Sequence, residues 1–378
     1  MWKVQLFELN YDELEVEAVA EVVRSGWITM GPKTLEFEEA FRKQLDGHMC
    51  TAVSSGTAAL HLAILALDLE PGDEVIVPAL TFVADANVVR MAGAIPVFAD
   101  CESIDNWNVG VESIRERITG RTRAVICVHY AGYACRMNEL RDLCDENALA
   151  LIEDVAHAPG GTYGDRPLGT IGDFGCFSFF TNKNLSVGEG GMVAVGDADL
   201  DARIRFLRSH GMTTLTLDRH EGRAISYDVV QPGLNYRIDE MRAALGLVQL
   251  TKLGDSNRRR ADLTARYDSL LDGLAGVQRP FRDYEPGLNT YHIYPVILDA
   301  ALDRDATIAA LRKRGVQASI HYPTIPGFAA YSNDDPAATP LATDIAQREL
   351  TLPLYPTMGD DKVTLVSEAL ADSIREAG

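Results

Sequence analysis

The sequence predicts an α/β fold, with a large domain built on a mostly parallel sheet covered by helices and a smaller C-terminal α/β domain. Between residues 75 and 180, short β-rich runs alternate mostly with helical segments. These runs are almost continuously apolar, as is typical of parallel strands that are covered on both faces. The composition changes after residue 252, so we predict a large domain at 1–252 and a smaller domain at 253–378.

The individual elements follow from local periodicity. Strands of the large domain are predicted at VIVPA (75–79), IPVFA (95–99), AVICVHY (124–130), LALIE (149–153) and CFSFF (176–180). The run GGMVAV, which begins just after Glu189, follows the preceding strand too closely for a full crossover, and this favours an antiparallel strand. The other predictions are helices at 12–25, 239–253, 257–274 and 305–314, strands at 291–298 and 316–322, and two helices near the C-terminus.

The charge and the cysteines limit the function classes. A net charge of −20 at pH 7 repels nucleic acid and anionic membranes. No apolar run approaches the roughly 18 residues of a membrane helix, and the N-terminus has no secretory-signal core. The six cysteines form no CxxC pair, which favours reduced thiols in a cytoplasmic protein. Cys127 and His129 are interpreted as core residues of one strand, and no metal site is predicted.

Two strand ends carry features of an anion site and a ring-binding site. In SSGTAALHLA (54–63), Gly56 and Thr57 open an apolar helix, whose first N–H groups and positive dipole end can bind a phosphate. In VPALTFVADAN (77–87), Phe82 follows a strand at the edge where ligands bind in open α/β sheets, and its ring can cover a planar ligand. Taken alone, these patterns fit a capped buried helix and a core aromatic better.

A third strand end carries two carboxylates. In LIEDVAHAPGGTYG (151–164), Glu153 and Asp154 end an otherwise apolar strand, so at least one of them needs a partner. Asp154 is placed to face the ligand crevice, and His157 lies on the same side if a helical turn begins there. A helix N-cap role for Asp154 is the structural alternative.

A lysine stands just beyond a fourth strand, in FSFFTNKNLSVGEGGMVAV (177–195). Lysine is almost never buried without a partner, so Lys183 must either reach water or take part in chemistry. Ser178 of the same strand is positioned to donate a hydrogen bond to an anion.

Together, the four strand ends predict a site for pyridoxal phosphate (PLP), which requires a phosphate cradle, a stacking ring, a carboxylate and an amine. Lys183 would form a Schiff base with the cofactor through a partly desolvated amine. Asp154 would keep the pyridine nitrogen protonated, and His157 would hydrogen-bond the phenolic oxygen. The chain has no GxGxxG or GxxxxGK[ST] motif, so a dinucleotide or P-loop site has no support.

Over nearly its whole length, the chain resembles the DegT/StrS group of nucleotide-sugar aminotransferases, which are fold-type-I PLP enzymes. The resemblance rests on SGWITMGPKTLEFEEAF, SSGTAALHLA, GDEVIVPALTFVA, GAIPVFAD, IEDVAHAPGGTYGDRPLGTIGDFGCFSF, KNLSVGEGG, NYRIDEMRAALGLVQL and HYPTIPGF. It implies that matching residues bind the cofactor, namely Gly56, Thr57, Phe82, Asp154, His157, Ser178 and Lys183. Asn235 would join them from the neighbouring subunit of a homodimer. The position of His157 is more often glutamine in this family, although histidine also occurs.

The resemblance also implies a ping-pong transamination. L-glutamate would give its amino group to PLP, and the aminated cofactor would pass it to a keto sugar, usually linked to a nucleoside diphosphate. Lys183 would act as the proton shuttle and Asp154 as the second catalytic residue. Sugar contacts are expected from Arg237, His321 and Tyr322, and the arginines at 258–260 could supply further cations or form a solvated helix face.

Three other functions are alternatives. An aminocyclitol aminotransferase, acting on a keto-inositol, would use the same residues and differ only in its acceptor pocket. A PLP-dependent sugar dehydratase shares the cofactor, but such relatives replace the lysine with histidine, so Lys183 favours transamination. A non-catalytic regulatory protein is disfavoured by the acidic charge and by the lack of a recognisable DNA-binding module.

Overall fold

A seven-stranded sheet forms the centre of the protein in a computed structural model, which describes residues 2–214, 222, 226–331 and 336–377. The strands of these residues are β1 (Met49–Val53), β2 (Glu74–Pro78), β3 (Ile95–Ala99), β4 (Thr122–Val128), β5 (Ala150–Asp154), β6 (Thr162–Tyr163), β7 (Arg166–Pro167), β8 (Phe174–Ser178), β9 (Gly191–Val195), β10 (Val277–Gln278), β11 (Tyr294–Leu298) and β12 (Glu349–Leu352).

The α-helices of the described residues are α1 (Glu13–Ser25), α2 (Pro32–Gln44), α3 (Gly56–Leu65), α4 (Ala84–Met91), α5 (Val111–Arg115), α6 (Met137–Glu146), α7 (Ala198–Arg208), α8 (Glu240–Leu271), α9 (Arg304–Lys313), α10 (Pro340–Arg348) and α11 (Asp360–Ala377). Short 3-10 helices lie at Tyr130–Gly132, Ile325–Gly327, Ala329–Tyr331 and Pro336–Ala338. In this described part of the chain, no helix is long and apolar enough to cross a bilayer.

The central sheet has the order β1-β9-β8-β5-β4-β2-β3. The pairs β2–β3, β2–β4, β4–β5 and β5–β8 are parallel, whereas β9 pairs antiparallel with both β1 and β8. The five strands predicted between residues 75 and 180 all form, with ends that differ by at most two residues. The mostly parallel sheet and the antiparallel strand after Glu189 are therefore confirmed.

Both faces of this sheet are covered, because successive side chains of a strand point to opposite faces. Val75 and Val77 of β2 belong to one buried cluster, together with the apolar side chains of α3. Ile76, between them, belongs to a second cluster with residues of α2 and α6. The near-continuous apolar runs in the sequence reflect this two-sided burial.

A smaller antiparallel sheet, β10-β11-β12, lies in the C-terminal part of the chain. It shares a buried cluster with α8, α9 and α11. The helices predicted at 239–253 and 257–274 are wrong as separate elements, because α8 is one continuous helix of 32 residues. A glycine inside a helix costs roughly 1 kcal/mol, but the buried Leu253, Ser256 and Asn257 flank Gly254 and hold the helix through it. The domain boundary predicted at residue 252 falls inside α8 and stays a prediction.

The strand predicted at 316–322 is wrong. Only isolated bridges form there, from Val316 to Val4 and from Ser319 to Thr351. The next amide that could continue a ladder, that of His321, donates instead to the Glu349 carboxylate at 2.7 Å. A side-chain acceptor therefore ends the pairing and turns this segment toward the central sheet.

Other predicted elements keep their type. The helix predicted at 12–25 is α1, which Asp12 caps in a capping box with Glu15 and which ends at Gly26 with φ of 75°. The strand at 291–298 forms only over β11, the helix at 305–314 is α9 within one residue, and the two C-terminal helices are α10 and α11.

Candidate active site

The carboxyl ends of five central strands meet at one edge, since β1 runs parallel to β2, β4, β5 and β8. A cavity of about 360 Å³ lies at this edge. A segment from the C-terminal part of the chain closes another side of it. The lining includes nine residues that the sequence singled out: Gly56, Thr57, Phe82, Asp154, His157, Ser178, Lys183, His321 and Tyr322.

The loop between β1 and α3 forms a cradle for an anion. Ser55 caps α3 by accepting a hydrogen bond from the amide of Ala58 at 3.1 Å, and the first-turn amides of Gly56 and Thr57 have no partner inside the helix. A Cβ atom at Gly56 would stand 2.7 Å from the Ser178 Cβ. Only glycine therefore allows the helix start to approach Ser178 so closely, and the amides and the hydroxyl converge.

Lys183 lies in the turn after β8, where its amide donates to the Phe180 carbonyl at 2.9 Å. Among the described residues, no group forms a hydrogen bond or an ion pair with the Lys183 ammonium group. Burial lowers the pKa of Lys183 to about 8, although the charges of Asp154 and Asp85 act in the opposite direction. Near neutral pH, the amine is therefore far closer to its nucleophilic form than an exposed lysine is.

If PLP attaches to Lys183, as the sequence predicts, this pKa sets how the attachment rate in the cofactor-free protein depends on pH. Only the neutral amine attacks, so the attachment rate should rise with pH through about 8 and level off above it. Stopped-flow absorbance of PLP measures the rate, and Nα-acetyl-lysine serves as the control, since its rate should keep rising toward pH 10. A protein rate that follows the control would contradict the lowered pKa.

Asp154 ends β5 and is 6% exposed. Its Oδ1 accepts a hydrogen bond from the Ala156 amide at 2.8 Å. Its other oxygen is not used by this contact, and the side chain lines the cavity with Lys183. No helix begins in the described stretch between β5 and β6, so the helix N-cap role considered from the sequence is wrong. Burial raises the pKa of Asp154, while the Ala156 amide and Lys183 oppose this rise.

His157, Tyr322 and Phe82 form one wall of the cavity. The Ala131 amide donates to Nδ1 of His157 at 3.2 Å, so Nδ1 is an acceptor and the proton of the neutral ring is on Nε2. Nε2 donates to the Tyr322 hydroxyl, 3.1 Å away, and burial holds the pKa of His157 well below its usual value. The Phe82 ring lies 5.8 Å from that of Tyr322 and is 55% exposed, an apolar face open to the cavity.

His321 presents a ring nitrogen without a proton. The Thr351 hydroxyl donates its only proton to Glu349, so it accepts from Nδ1 of His321 at 2.9 Å. The second ring nitrogen, Nε2, therefore keeps its lone pair. Burial and the nearby Lys183 charge together lower the pKa of His321 to about 3.

Glu153, the other carboxylate of the strand end, points away from the cavity into the core. It accepts hydrogen bonds from the amides of Gly169, Ile171 and Gly172 at 2.6–2.9 Å and from His129 Nε2 at 3.0 Å. One of the two carboxylates thus has the partner that the sequence demanded. Cys127 and His129 are fully buried, and the described residues contain no group of three or more side chains that could hold a metal ion.

Several predicted contacts lie outside the cavity of this single chain. Asn235 is exposed, and Arg237 forms a bridge to Val53 at the end of β1. The arginines at 258–260 bind elsewhere: Arg260 is buried and donates to the carbonyls of His292 and Leu354, while its two neighbours pair with Asp255 and Asp360. None of these arginines lines the cavity of this single chain, so the supply of cations to a substrate stays a prediction.

The sequence-based prediction did not include Asp85 and Asn182. Asp85 is fully buried behind Asp154, and it lies within the quoted stretch 77–87, one helical turn after Thr81. Asn182 lines the cavity beside Lys183, and its Oδ1 is buried with no partner in the described part of the chain. Both residues lie close in sequence to a predicted site residue. The carboxylate of Asp85 and the amide of Asn182 were the signals that could have identified them.

Comparison with known proteins gives consistent results. The model of the DegT/DnrJ/EryC1/StrS aminotransferase family matches residues 10–371. The spore coat polysaccharide biosynthesis protein SpsC of Bacillus subtilis is 36% identical over 371 residues, which are 96% of this chain and 95% of SpsC. Among solved structures, Spr1654 of Streptococcus pneumoniae, assigned as a sugar aminotransferase and solved in its PMP form, has a TM-score of 0.94 at 30% identity with full coverage of both chains.

A second solved structure is similar over almost the same length. It is PseC of Helicobacter pylori, an aminotransferase of pseudoaminic acid biosynthesis, with a TM-score of 0.92 at 26% identity and 99% coverage of both chains. Spr1654 has also been solved in its PLP form, which covers 98% of each chain with a TM-score of 0.92 at 30% identity.

Proposed function

Because the chain belongs to the DegT/DnrJ/EryC1/StrS family of PLP-dependent sugar aminotransferases, we propose that it transfers the amino group of L-glutamate to a nucleotide-linked keto sugar by a ping-pong mechanism. The observation that carries this proposal is the position of Lys183, a cavity lysine with a pKa of about 8 that faces Asp154. The product would be a nucleotide-linked amino sugar.

The cavity residues fit PLP. The cradle at Gly56, which a Cβ atom would fill, suits a phosphate group, with the amides of Gly56 and Thr57 and the Ser178 hydroxyl as donors. Phe82 offers its exposed ring as a face for the pyridine. In the single chain, the Nε2–H of His157 donates a hydrogen bond to the Tyr322 hydroxyl. The same N–H group is a donor suited to the phenolic oxygen of PLP.

When bound, PLP supplies an aldehyde that takes up the amino group and a ring that accepts electrons. Lys183 would hold the cofactor covalently, and its amine, once freed, would take the proton from the α-carbon of glutamate. Asp154, as a carboxylate, holds the proton on the ring nitrogen. The unprotonated Nε2 of His321 and the Tyr322 ring line the side of the cavity proposed to receive the sugar.

The proposed reaction is tested in its two halves. Adding L-glutamate to the PLP-loaded protein should convert the absorbance of PLP to that of its aminated form and release one equivalent of 2-oxoglutarate. The aminated protein is then offered nucleotide-linked keto sugars, free keto sugars and keto-inositols. Turnover of only the nucleotide-linked sugars supports the proposal, whereas turnover of keto-inositols alone would assign an aminocyclitol aminotransferase. No reaction with glutamate would contradict the proposed donor.

We also propose that the enzyme is a cytoplasmic homodimer with shared active sites. Asn235 is exposed in this chain and lies outside its own cavity, so it is available to a partner, and two-fold symmetry makes such sharing reciprocal. The six cysteines are all free and buried, which supports a reducing compartment.

Mixed dimers test the sharing. Lys183→Ala and Asn235→Asp, each crippled alone, are unfolded and refolded together. If Asn235 acts on the partner's site, one site of each mixed dimer is intact, and activity should return to roughly a quarter of wild type, since about half of the dimers are mixed. The matched control mixes Lys183→Ala with Asp154→Asn, which belong to one cavity and should restore nothing. No recovery in the first mixture would contradict sharing through Asn235.

A further inference from the structure

Asp85, near the start of α4, is a second buried carboxyl group at the cofactor site, and the mechanism above gives it no task. Its side chain is 0% exposed. Oδ2 accepts a hydrogen bond from the Thr81 hydroxyl at 2.7 Å. Oδ1 is buried and has no partner among the described residues if both nearby carboxyl groups are ionised.

Thr81, which binds Asp85, lines the same cavity as Asp154, and the two carboxyl groups are close enough for each to shift the pKa of the other through charge and a hydrogen bond. Two adjacent carboxylates in a buried site cannot both stay ionised, because the repulsion is weakly screened there. A hydrogen bond between them requires one proton, which must belong to one of the two groups. The pair therefore holds one proton between its two carboxyl groups.

The surroundings assign this proton to Asp85. Asp154 is the group that receives the Ala156 amide and is partly open to the cavity, and both contacts favour its charged form. Asp85 has no exposed surface, and burial together with the Asp154 charge raises its pKa well above the usual value. A proton on Oδ1 gives that oxygen the partner it otherwise lacks.

We propose that Asp85 is a positioning residue, which stays protonated and donates a hydrogen bond to Asp154. This bond holds the Asp154 carboxylate in place as an anion directed at the ring nitrogen of the cofactor. The inference rests on the proposed cofactor site, but the protonated state of Asp85 is a property of the chain itself. It can therefore be tested without cofactor.

Several groups face the pair and are included in any account of its pH dependence. The Asp154 carboxylate raises the pKa of Asp85, and Thr81 and Lys183 lower it. Cys176, the sheet neighbour of Asp154, is a buried thiol whose own pKa is raised by burial and by both carboxyl groups. His129, on the adjacent strand end, also acts on Asp154.

Infrared spectroscopy of the cofactor-free protein tests the protonation directly. At pH 7 the difference spectrum between the wild type and Asp85→Asn should contain the carbonyl band of a protonated carboxylic acid. Burial raises the pKa of Glu349 to about 7 as well, but its contribution is common to both proteins and cancels in the difference. Glu112→Gln, which removes an exposed carboxyl group on α5, is the control and should leave the band unchanged. A difference spectrum without this band would overturn the assignment.

The stability of the cofactor-free protein supplies a second test. A group that is protonated when folded and ionised when unfolded makes the folded state less stable as pH rises between its two pKa values. Between pH 5 and 7, the unfolding constant of the wild type should therefore rise by up to about tenfold per pH unit relative to Asp85→Asn. Equal pH dependence of the two proteins would contradict a protonated Asp85.

Cofactor binding tests the positioning role. Asp85→Asn keeps a donor for Asp154 and should bind PLP within about threefold of wild type. Asp85→Leu keeps the volume but has no donor, so its dissociation constant should rise by roughly tenfold or more, with a shifted absorbance pH profile of the bound cofactor. Equal affinities for the Asn and Leu variants would rule out the hydrogen bond as the cause. Failure of every variant and the wild type to bind PLP would instead contradict the proposed function.

Discussion

Replacing Lys183 with alanine is expected to lower the rate of amino transfer from L-glutamate by roughly 10⁴-fold or more. The change removes the amine that is proposed both to hold the cofactor and to move the substrate proton. No other lysine lines the cavity in the part of the chain that the structure describes. Single-turnover absorbance with L-glutamate measures the loss.

The matched control is Lys43→Ala, since the Lys43 side chain is 69% exposed and pairs only loosely with Glu39. It should react at the wild-type rate. The phosphate contacts proposed for Gly56, Thr57 and Ser178 do not depend on Lys183, so the alanine variant should still bind PLP without a covalent bond. A variant that keeps more than about a tenth of the wild-type rate would exclude Lys183 as the base.

Asp154→Asn should leave the fold intact and lower the rate of the glutamate half-reaction by on the order of 10³-fold. An amide has nearly the same shape and keeps the Ala156 contact, but it cannot stabilise a positive charge on the ring nitrogen. The effect should lie mainly in the rate of the chemical step rather than in the affinity for L-glutamate, because Asp154 is proposed to act on the cofactor.

The control for this change is Asp145→Asn, which alters an exposed carboxylate on α6 that pairs with Arg141. Circular dichroism and the unfolding midpoint should be unchanged in both variants. If the half-reaction of Asp154→Asn stays within about tenfold of the wild-type rate, the role of this carboxylate is contradicted. Such a rate would mean that the ring nitrogen needs no charged partner.

The sequence was most informative where local pattern and global fold agree. The strands of the parallel sheet are apolar on both faces, so their position could be predicted within two residues. The antiparallel direction of β9 followed from the short connection after β8, which leaves no room for a crossover. Strand ends then placed Phe82, Asp154 and Lys183 at a common edge.

The errors arose where contacts between distant residues decide the structure. The continuity of α8 depends on hydrogen bonds of Ser256 with Asn10 and of Asn257 with Asn184, and local periodicity does not reveal such partners. The irregular segment at 316–322 depends on Glu349, almost thirty residues away in the sequence, which takes the His321 amide.

Within the candidate site, residue types could be predicted, but protonation states could not. The tautomer of His157 depends on the Ala131 amide, and that of His321 depends on Thr351. The proton proposed on Asp85 requires a second carboxyl group, that of Asp154 at the end of β5, which is distant in the sequence. These states follow from geometry, which the linear pattern does not contain.

The central claim, that Lys183 is the residue that holds PLP, is tested most directly by borohydride reduction of the PLP-loaded protein followed by peptide mapping. Reduction makes the attachment permanent, and mass spectrometry of the peptides identifies the modified lysine. We predict a single adduct on the peptide that contains Lys183 and none in Lys183→Ala. An adduct on any other lysine of the wild-type protein, with Lys183 unmodified, would contradict the account.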